Sequence, residues 1–300
     1  MSCRPALAHP PAAAAVAATN GSRHELPALR VGSARSVLLS VLGELVQPHD
    51  EPVWTSSLLY VLTGMGYEER TARQAVERAA TAGWMHGSRH GRNVRWTLGP
   101  AGRQLIGEGA QRVHSLGQPQ SPWNGSWLLL LVTLPGNRRT LRKRLYAALS
   151  WVGFGNPVPG LWLTPHTERA REAERIVGDL GLSDTTFAFV GPSASIGLAD
   201  RAIVERAWNL AEVAANYDAV LKQFARRRPA RGDELLFAHL ELVNQWQRFP
   251  FMDPQLPAEL LPDWIGRKAS AVFERRRGEW TDRAQRRWRE VVEITAPPDR

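Results

Sequence analysis

Residues 68–98 read EERTARQAVERAATAGWMHGSRHGRNVRWTL. Within this stretch the pattern turns from helical to extended, and that change decides the fold. On a wheel of about 100° per residue, Ala72, Ala75, Val76 and Ala79 share one side, and Arg70, Arg73, Gln74, Glu77, Arg78 and Thr81 share the other. Alanines let a helix pack closely against its neighbours. Glu68 and Glu69 stand at the start, the end where the helix dipole favours negative charge, and Gly83 stops the pattern. Two strand-like runs, residues 84–89 and 92–98, then flank His90-Gly91, which reads as a β-hairpin.

Upstream, Ser33 is a candidate N-cap for a helix with Val37, Leu38, Val41, Leu42 and Leu45 at helical spacing. Residues 48–52 interrupt it. Thr55 or Ser56 is expected to cap a second helix that buries Leu58, Leu59 and Leu62 and ends at Gly64 and Gly66. Downstream, Gly99-Pro100 opens a fourth helix with Leu105 and Ile106 inward. Three helices, a hairpin and a helix are the order of a winged helix-turn-helix.

That order gives the polar side of residues 68–82 a candidate role. The DNA major groove admits one helix, and Arg with guanine or Gln with adenine are geometrically favoured pairs. The N-terminal part of such a helix approaches the bases, which ranks Arg70, Thr71, Arg73 and Gln74 ahead of Arg78. No acidic residue lies between Glu77 and Glu108, an interval that holds Arg78, Arg89, Arg92, Arg95, Arg103, His86 and His90. A hairpin carrying Arg89, His90, Arg92, Asn93 and Arg95 around Gly91 suits phosphates or a minor groove.

The chain has 300 residues, 43% hydrophobic and 22% charged, the profile of a globular protein of two or three domains. Lys and Arg number 38 against 29 Asp and Glu, a net charge of +9 that favours polyanionic partners. The longest clean apolar run, residues 127–132, is too short to cross a bilayer. Its single cysteine, Cys3, excludes an intrachain disulfide framework and fits a reducing, cytoplasmic setting. Residues 12–18 are small and apolar but too short for a secretory signal, so residues 1–32 are expected to be a disordered tail.

Two further blocks follow. After a Pro-rich linker at residues 118–122, residues 123–193 alternate strand and helix. Strands are expected at residues 126–133, 161–164 and 185–190, with helices over 138–151 and 168–180. Arg138, Arg139, Arg142, Lys143 and Arg144 crowd the first of these helices as a solvated face or a second phosphate-contacting one. Residues 197–295 read as helical, with one helix over 202–225, another over 234–247 and a Pro-rich break at 249–262. The boundaries are thus a winged helix at 33–116, an α/β domain at 123–193 and a helical domain at 197–295, an α+β multi-domain chain.

Several segments together are similar to the PaaX-type repressors of phenylacetate degradation. They are Val53-Trp54 through Arg78, Ala82-Gly83-Trp84, Trp123-Asn124-Gly125-Ser126-Trp127 leading to Leu134-Pro135, and residues 149–155 with Pro159-Gly160-Leu161-Trp162. Asp253-Pro254-Gln255-Leu256-Pro257 and Leu260-Leu261-Pro262-Asp263-Trp264 complete the set. The likeness spans about residues 33–290 in the same order. It implies a winged helix, a central ferredoxin-like domain and a C-terminal helical domain. It also implies a homodimer that represses a catabolic operon and leaves its double-stranded operator on binding an aryl-acyl-CoA thioester. A pocket with unequal affinity for two conformations is then required, and Trp208, Tyr217, His239, Trp246 and Arg248 are candidate lining residues. Arg226, Arg227 and Arg228 are candidates for coenzyme A phosphates or simply a solvated run.

The sequence carries no catalytic signature. The central fold resembles the small CRISPR adaptation nuclease, which uses an acidic metal ligand at the end of its first strand; here Val132-Thr133-Leu134-Pro135 carries no carboxylate. No Gly-rich phosphate loop, paired metal-binding histidines or activated nucleophile appears in the sequence, and Asp253 lies in a Pro-bounded turn. No catalytic residue, metal or cofactor is expected, and no membrane partner. A metal-dependent nuclease and a winged-helix protein adaptor remain the alternatives.

Overall fold

The computed structural model describes residues 32–116, 118, 122–134, 136 and 138–298. The expected tail through residue 31, with Cys3, and most of the Pro-rich linker lie outside the described residues. The architecture is mixed α+β with two antiparallel sheets.

Ser33 caps α1 (Ala34–Val41), its side chain accepting from the Ser36 N–H. The helix runs into a π-turn, Leu42–Val46, where the Gln47 N–H reaches back to the Leu42 carbonyl at 2.8 Å. Then come β1 (Val53–Trp54), α2 (Thr55–Gly64), α3 (Glu69–Thr81), β2 (Met85–His90), β3 (Asn93–Leu98) and α4 (Pro100–Ser115). The strands form a sheet of order β1-β3-β2. β1 is an addition to the sequence reading: Val53 and Trp54 pair with Trp96 and Arg95.

The cap expected at Thr55 or Ser56 is not made. α2 begins after Trp54 without a side-chain cap. The Thr55 hydroxyl instead accepts from the Trp96 indole N–H at 2.8 Å and donates to the Val94 carbonyl at 3.2 Å. Ser56 donates to the Thr295 carbonyl at 2.7 Å. Both hydroxyls serve tertiary contacts that a local cap rule does not foresee.

The central block runs β4 (Ser126–Val132), α5 (Arg139–Trp151), β5 (Gly155–Val158), β6 (Leu161–Thr164), α6 (Ala170–Asp179) and β7 (Thr186–Pro192). Its sheet has the order β5-β6-β4-β7, with antiparallel neighbours throughout. Leu145 and Leu149 of α5, with Ala173, Ile176 and Val177 of α6, pack on Leu128, Leu130 and Val132. Trp127 and Leu163 face the other way, toward Val204, Leu256 and Leu260. β5 escaped the sequence reading because Pro157 breaks its pattern, a residue tolerated at the sheet edge it occupies.

The last block contains α7 (Asp200–Ala207), α8 (Leu210–Phe224), α9 (Asp233–Trp246), the short α10 (Phe249–Met252) and α11 (Ile265–Thr295), 31 residues long. The single helix expected over 202–225 is therefore two. Trp208 is extended (φ −129°, ψ 143°) and its indole stacks on Trp127 of the central sheet, while the Asn209 side chain restarts the helix by accepting from the Glu212 N–H. Docking of one large ring outweighs the propensity to continue.

One continuous core joins the first and last blocks. Leu38, Leu42 and Leu62 share it with Leu236, Leu240, Phe273 and Trp288. Polar joints reinforce it. The Asn244 amide donates to the Ser36 hydroxyl at 3.0 Å, and the Arg287 guanidinium bonds Asp233 at 2.8 Å and the Tyr60 hydroxyl at 3.2 Å. Arg276, buried, donates to the Phe224 and Ala225 carbonyls and so fixes α11 to the end of α8, where a helix terminus favours a cation.

Candidate functional site

α3 buries Ala72, Ala75, Val76 and Ala79 against its neighbours. Because the helix turns by about 100° per residue, this seating leaves Arg70, Thr71, Arg73, Gln74 and Arg78 exposed. Arg73 pairs with Glu69 at 2.6 Å, but both side chains are more than half exposed. An exposed pair of this kind is worth only about 0–1 kcal/mol, so a phosphate or a base edge can compete for the guanidinium.

The hairpin stands beside this face. Arg89, His90 and Arg92 are exposed, while Asn93 and Arg95 are half-buried. Gly91 has φ +59°, the left-handed conformation its turn requires, and nothing lies near where a Cβ would stand. The Trp54 ring meets His90 edge-on at 5.4 Å and carries the Arg95 guanidinium at 5.5 Å. A cleft of about 420 Å³ separates α3 from the hairpin and is lined by Trp54, Arg73, Glu77, Arg92, Asn93 and Trp96.

Two residues on this face were missed from the sequence. Arg35 lies over the Trp84 ring at 4.4 Å; burial, and then the like charge of Arg78, lower its pKa. Trp54 contributes its ring as described. Neither carries a motif; only the folded proximity of α1 and β1 to α3 and the hairpin brings them in.

A second feature lies between the blocks. The π-turn, α4, the end of α5, the α9–α10 corner and α11 enclose a cavity of about 590 Å³. Its apolar wall includes Leu39, Leu105, Ile106, Trp151, Phe251 and Phe273, with Arg112, Arg248 and Arg277 among them. Arg112 stacks over Trp151 at 5.0 Å and Phe251 at 5.7 Å. Beyond the Trp151–Phe251 stack runs a groove of about 410 Å³ lined by Arg112, Arg169 and Trp208, among others.

The five expected effector residues part company here. Trp246 and Arg248 line the 590 Å³ cavity. His239 is fully buried behind it and meets Glu44, a lining residue, at 3.0 Å. Trp208 belongs to the adjoining groove. Tyr217 is buried in packing, stacked on Phe249 at 3.9 Å and donating to Asp253 at 2.8 Å. Asp253 also accepts from the Trp264 indole and the Gln255 N–H, so its role is structural. Arg227 pairs with Glu241, and the run 226–228 does not line the cavity. The sequence reading missed Arg112, Arg277 and Glu44, which converge from three distant segments.

Arg138, Arg139, Arg142, Lys143 and Arg144 are all exposed, along α5 and its start. Among the described residues no three His, Cys, Asp or Glu side chains gather into a metal-binding group, and no helix is long and apolar enough to cross a membrane.

Comparison with known proteins follows this division of the chain. Residues 33–102 match the PaaX-like protein model, residues 120–203 the PaaX protein central Cas2-like domain, and residues 208–290 the PaaX-like protein C-terminal domain. The transcriptional repressor PaaX of Escherichia coli is 31% identical over 258 residues, covering 82% of this chain and 80% of that protein. The solved structure of an uncharacterized protein of Mycobacterium tuberculosis has the same fold, with a TM-score of 0.58 and 21% identity over 86% of this chain and 98% of its own. With three domain matches in order and this identity across most of the chain, the protein belongs to the PaaX family of transcriptional regulators.

Proposed function

We propose that this protein is a DNA-binding transcriptional repressor whose reading head is a winged helix-turn-helix at residues 33–116. One observation carries the reading: α3 buries only alanines and a valine, and presents Arg70, Thr71, Arg73, Gln74 and Arg78 to solvent beside a cationic hairpin. In this reading α3 enters the major groove and the hairpin lies on the flanking backbone. The repressor function of the Escherichia coli relative supports it. The proposed role is non-catalytic, and the central block, ferredoxin-like in its strand order, serves assembly rather than hydrolysis.

The proposed assembly is a homodimer. Leu131, Phe187 and Phe189 are 47%, 60% and 62% exposed. β7 pairs Phe187 with Leu131 and Phe189 with Leu129, so these side chains share the sheet face away from α5 and α6. β7 is also an edge strand. Exposed apolar surface on an unprotected edge is a natural seat for a second copy.

The proposed effector seat is the 590 Å³ cavity. Its aromatic wall suits an aryl group and its arginines suit an anion, which together describe an aryl-acyl-CoA thioester. The adjoining groove offers room for the longer part of such a molecule. The test is selection of genomic fragments by the purified protein, followed by titration with acyl-CoA thioesters. The reading expects one enriched, two-fold-symmetric site and release by one class of thioester. Retention of fragments without sequence preference contradicts it.

A further inference from the structure

Glu44 projects from the π-turn that ends α1. Its carboxylate accepts from Arg277 of α11, with Nη2 at 3.0 Å and Nε at 3.2–3.3 Å, and meets His239 Nε2 of α9 at 3.0 Å. Burial pushes the Glu44 carboxyl up, but the hydrogen bond and charge of His239 and those of Arg277 outweigh it and hold the group below its usual range. One carboxylate thus ties the N-terminal block to two helices of the C-terminal block.

The same groups form a wall of the 590 Å³ cavity, which both Glu44 and Arg277 line. Their environments differ: the Glu44 side chain is 12% exposed, the Arg277 side chain 42%. Arg277 is therefore reachable, and its charge is already occupied by an internal partner. Trp246 and Arg248 line the same cavity. A wall that carries a reachable cation already paired with an internal carboxylate is suited to exchange of one acceptor for another.

We propose that Glu44 is a resident counter-ion, displaced from Arg277 when an apolar ligand with an anionic head enters the cavity. The exchange releases one of the two side-chain partners by which the Glu44 carboxylate holds the π-turn, and leaves His239 as the other. A ligand shifts a conformational equilibrium only through unequal affinity for its two states. Here the inequality arises because Arg277 serves Glu44 in one state and the ligand in the other. α11 passes the change on, since its far end is bonded to Ser56 and Ser57 of α2 through Thr295. This rests on the effector-pocket reading above, and goes beyond it by naming the internal competitor.

The experiment uses two fluorescent probes on the full chain, 8-anilinonaphthalene-1-sulfonate and the uncharged N-phenyl-1-naphthylamine. They share an aryl body and differ in the anionic group. Glu44→Gln keeps the shape and removes the competing charge. It should tighten the sulfonate at least about tenfold, the scale set by one charge-assisted hydrogen bond, and leave the neutral probe unchanged. Arg277→Gln should weaken the sulfonate and spare the neutral probe, with Arg277→Lys restoring part of the loss. Gly109→Phe, at an open position on the cavity wall, should abolish both. If the neutral probe binds and is blocked by Gly109→Phe, but Glu44→Gln leaves the sulfonate unchanged or weaker, the exchange is overturned and the pocket stands. If neither probe binds, or Gly109→Phe blocks neither, the pocket reading falls and the exchange falls with it. Circular dichroism of each variant identifies loss of fold, and Arg277→Gln with its lysine rescue decides the matter where Glu44→Gln does not fold.

Discussion

At Gln74 the side chain is exposed on a helix whose opposite side is buried, so its removal takes away little packing and, in the proposed reading, one recognition group. Gln74→Ala should weaken operator binding by about 1–3 kcal/mol and relax the base preference at one position. Its melting temperature should stay that of the wild type. Equal loss on specific and random duplexes would make the residue a backbone contact. Glu44 and Asp233 lead to a different measurement. The Arg287 hydrogen bond lowers the Asp233 pKa, opposed by burial and aided by the Tyr60 hydroxyl, and Glu44 is likewise held low. Carboxyls depressed in the folded state contribute stability above their unfolded pKa and lose it as pH falls through the folded one. The urea midpoint should therefore hold above about pH 5 and drop toward about pH 3. Glu44→Gln/Asp233→Asn should lower the midpoint at neutral pH and flatten that acid limb; an unchanged acid limb contradicts the assignment.

Among the elements, α3 and the hairpin were legible because their cues are local: an alanine stripe of period 3.6 and a glycine between two extended runs. β1 was not, since Val53 and Trp54 become a strand only by pairing with β3. The break between α7 and α8 was hidden because Trp208 is as acceptable inside a helix as at its end until Trp127 is in place. The cavity was legible only in part. Trp246 and Arg248 belong to one helix corner, whereas Glu44, Arg112 and Arg277 arrive from segments far apart in sequence. The corner itself depends on Asp253, which accepts from Tyr217, Trp264 and Gln255 within a buried joint of α8, α10 and α11. Asp253→Ala leaves the buried Tyr217 hydroxyl and the Trp264 indole without an acceptor. Chemical denaturation should register a loss of about 2–4 kcal/mol; a loss below about 0.5 kcal/mol contradicts the joint.

For the whole molecule, the shared core is the finding with most consequence. The sequence divides the chain into blocks and says nothing of how they pack. Leu38, Leu42 and Leu62 lie in one core with α9 and α11, so the head is braced and its orientation follows that of α11. In the proposed reading, a braced head needs a fixed spacing between the two copies of a homodimer to match a two-fold operator. Phe189→Asp, placing charge on the exposed face of β7, should convert a dimer to a monomer by sedimentation while leaving the fold intact. A wild type that sediments as a monomer, or a variant that remains dimeric, removes β7 from the interface. The central claim, that α3 and the hairpin lie along a duplex, is met most directly by fluorescence anisotropy on the selected operator across a salt series. The account predicts nanomolar-range binding whose logarithm falls linearly with the logarithm of salt. It also predicts a slope reduced by about one for each of Arg89→Gln and Arg92→Gln. Salt-independent affinity, or slopes unmoved by both substitutions, would contradict it.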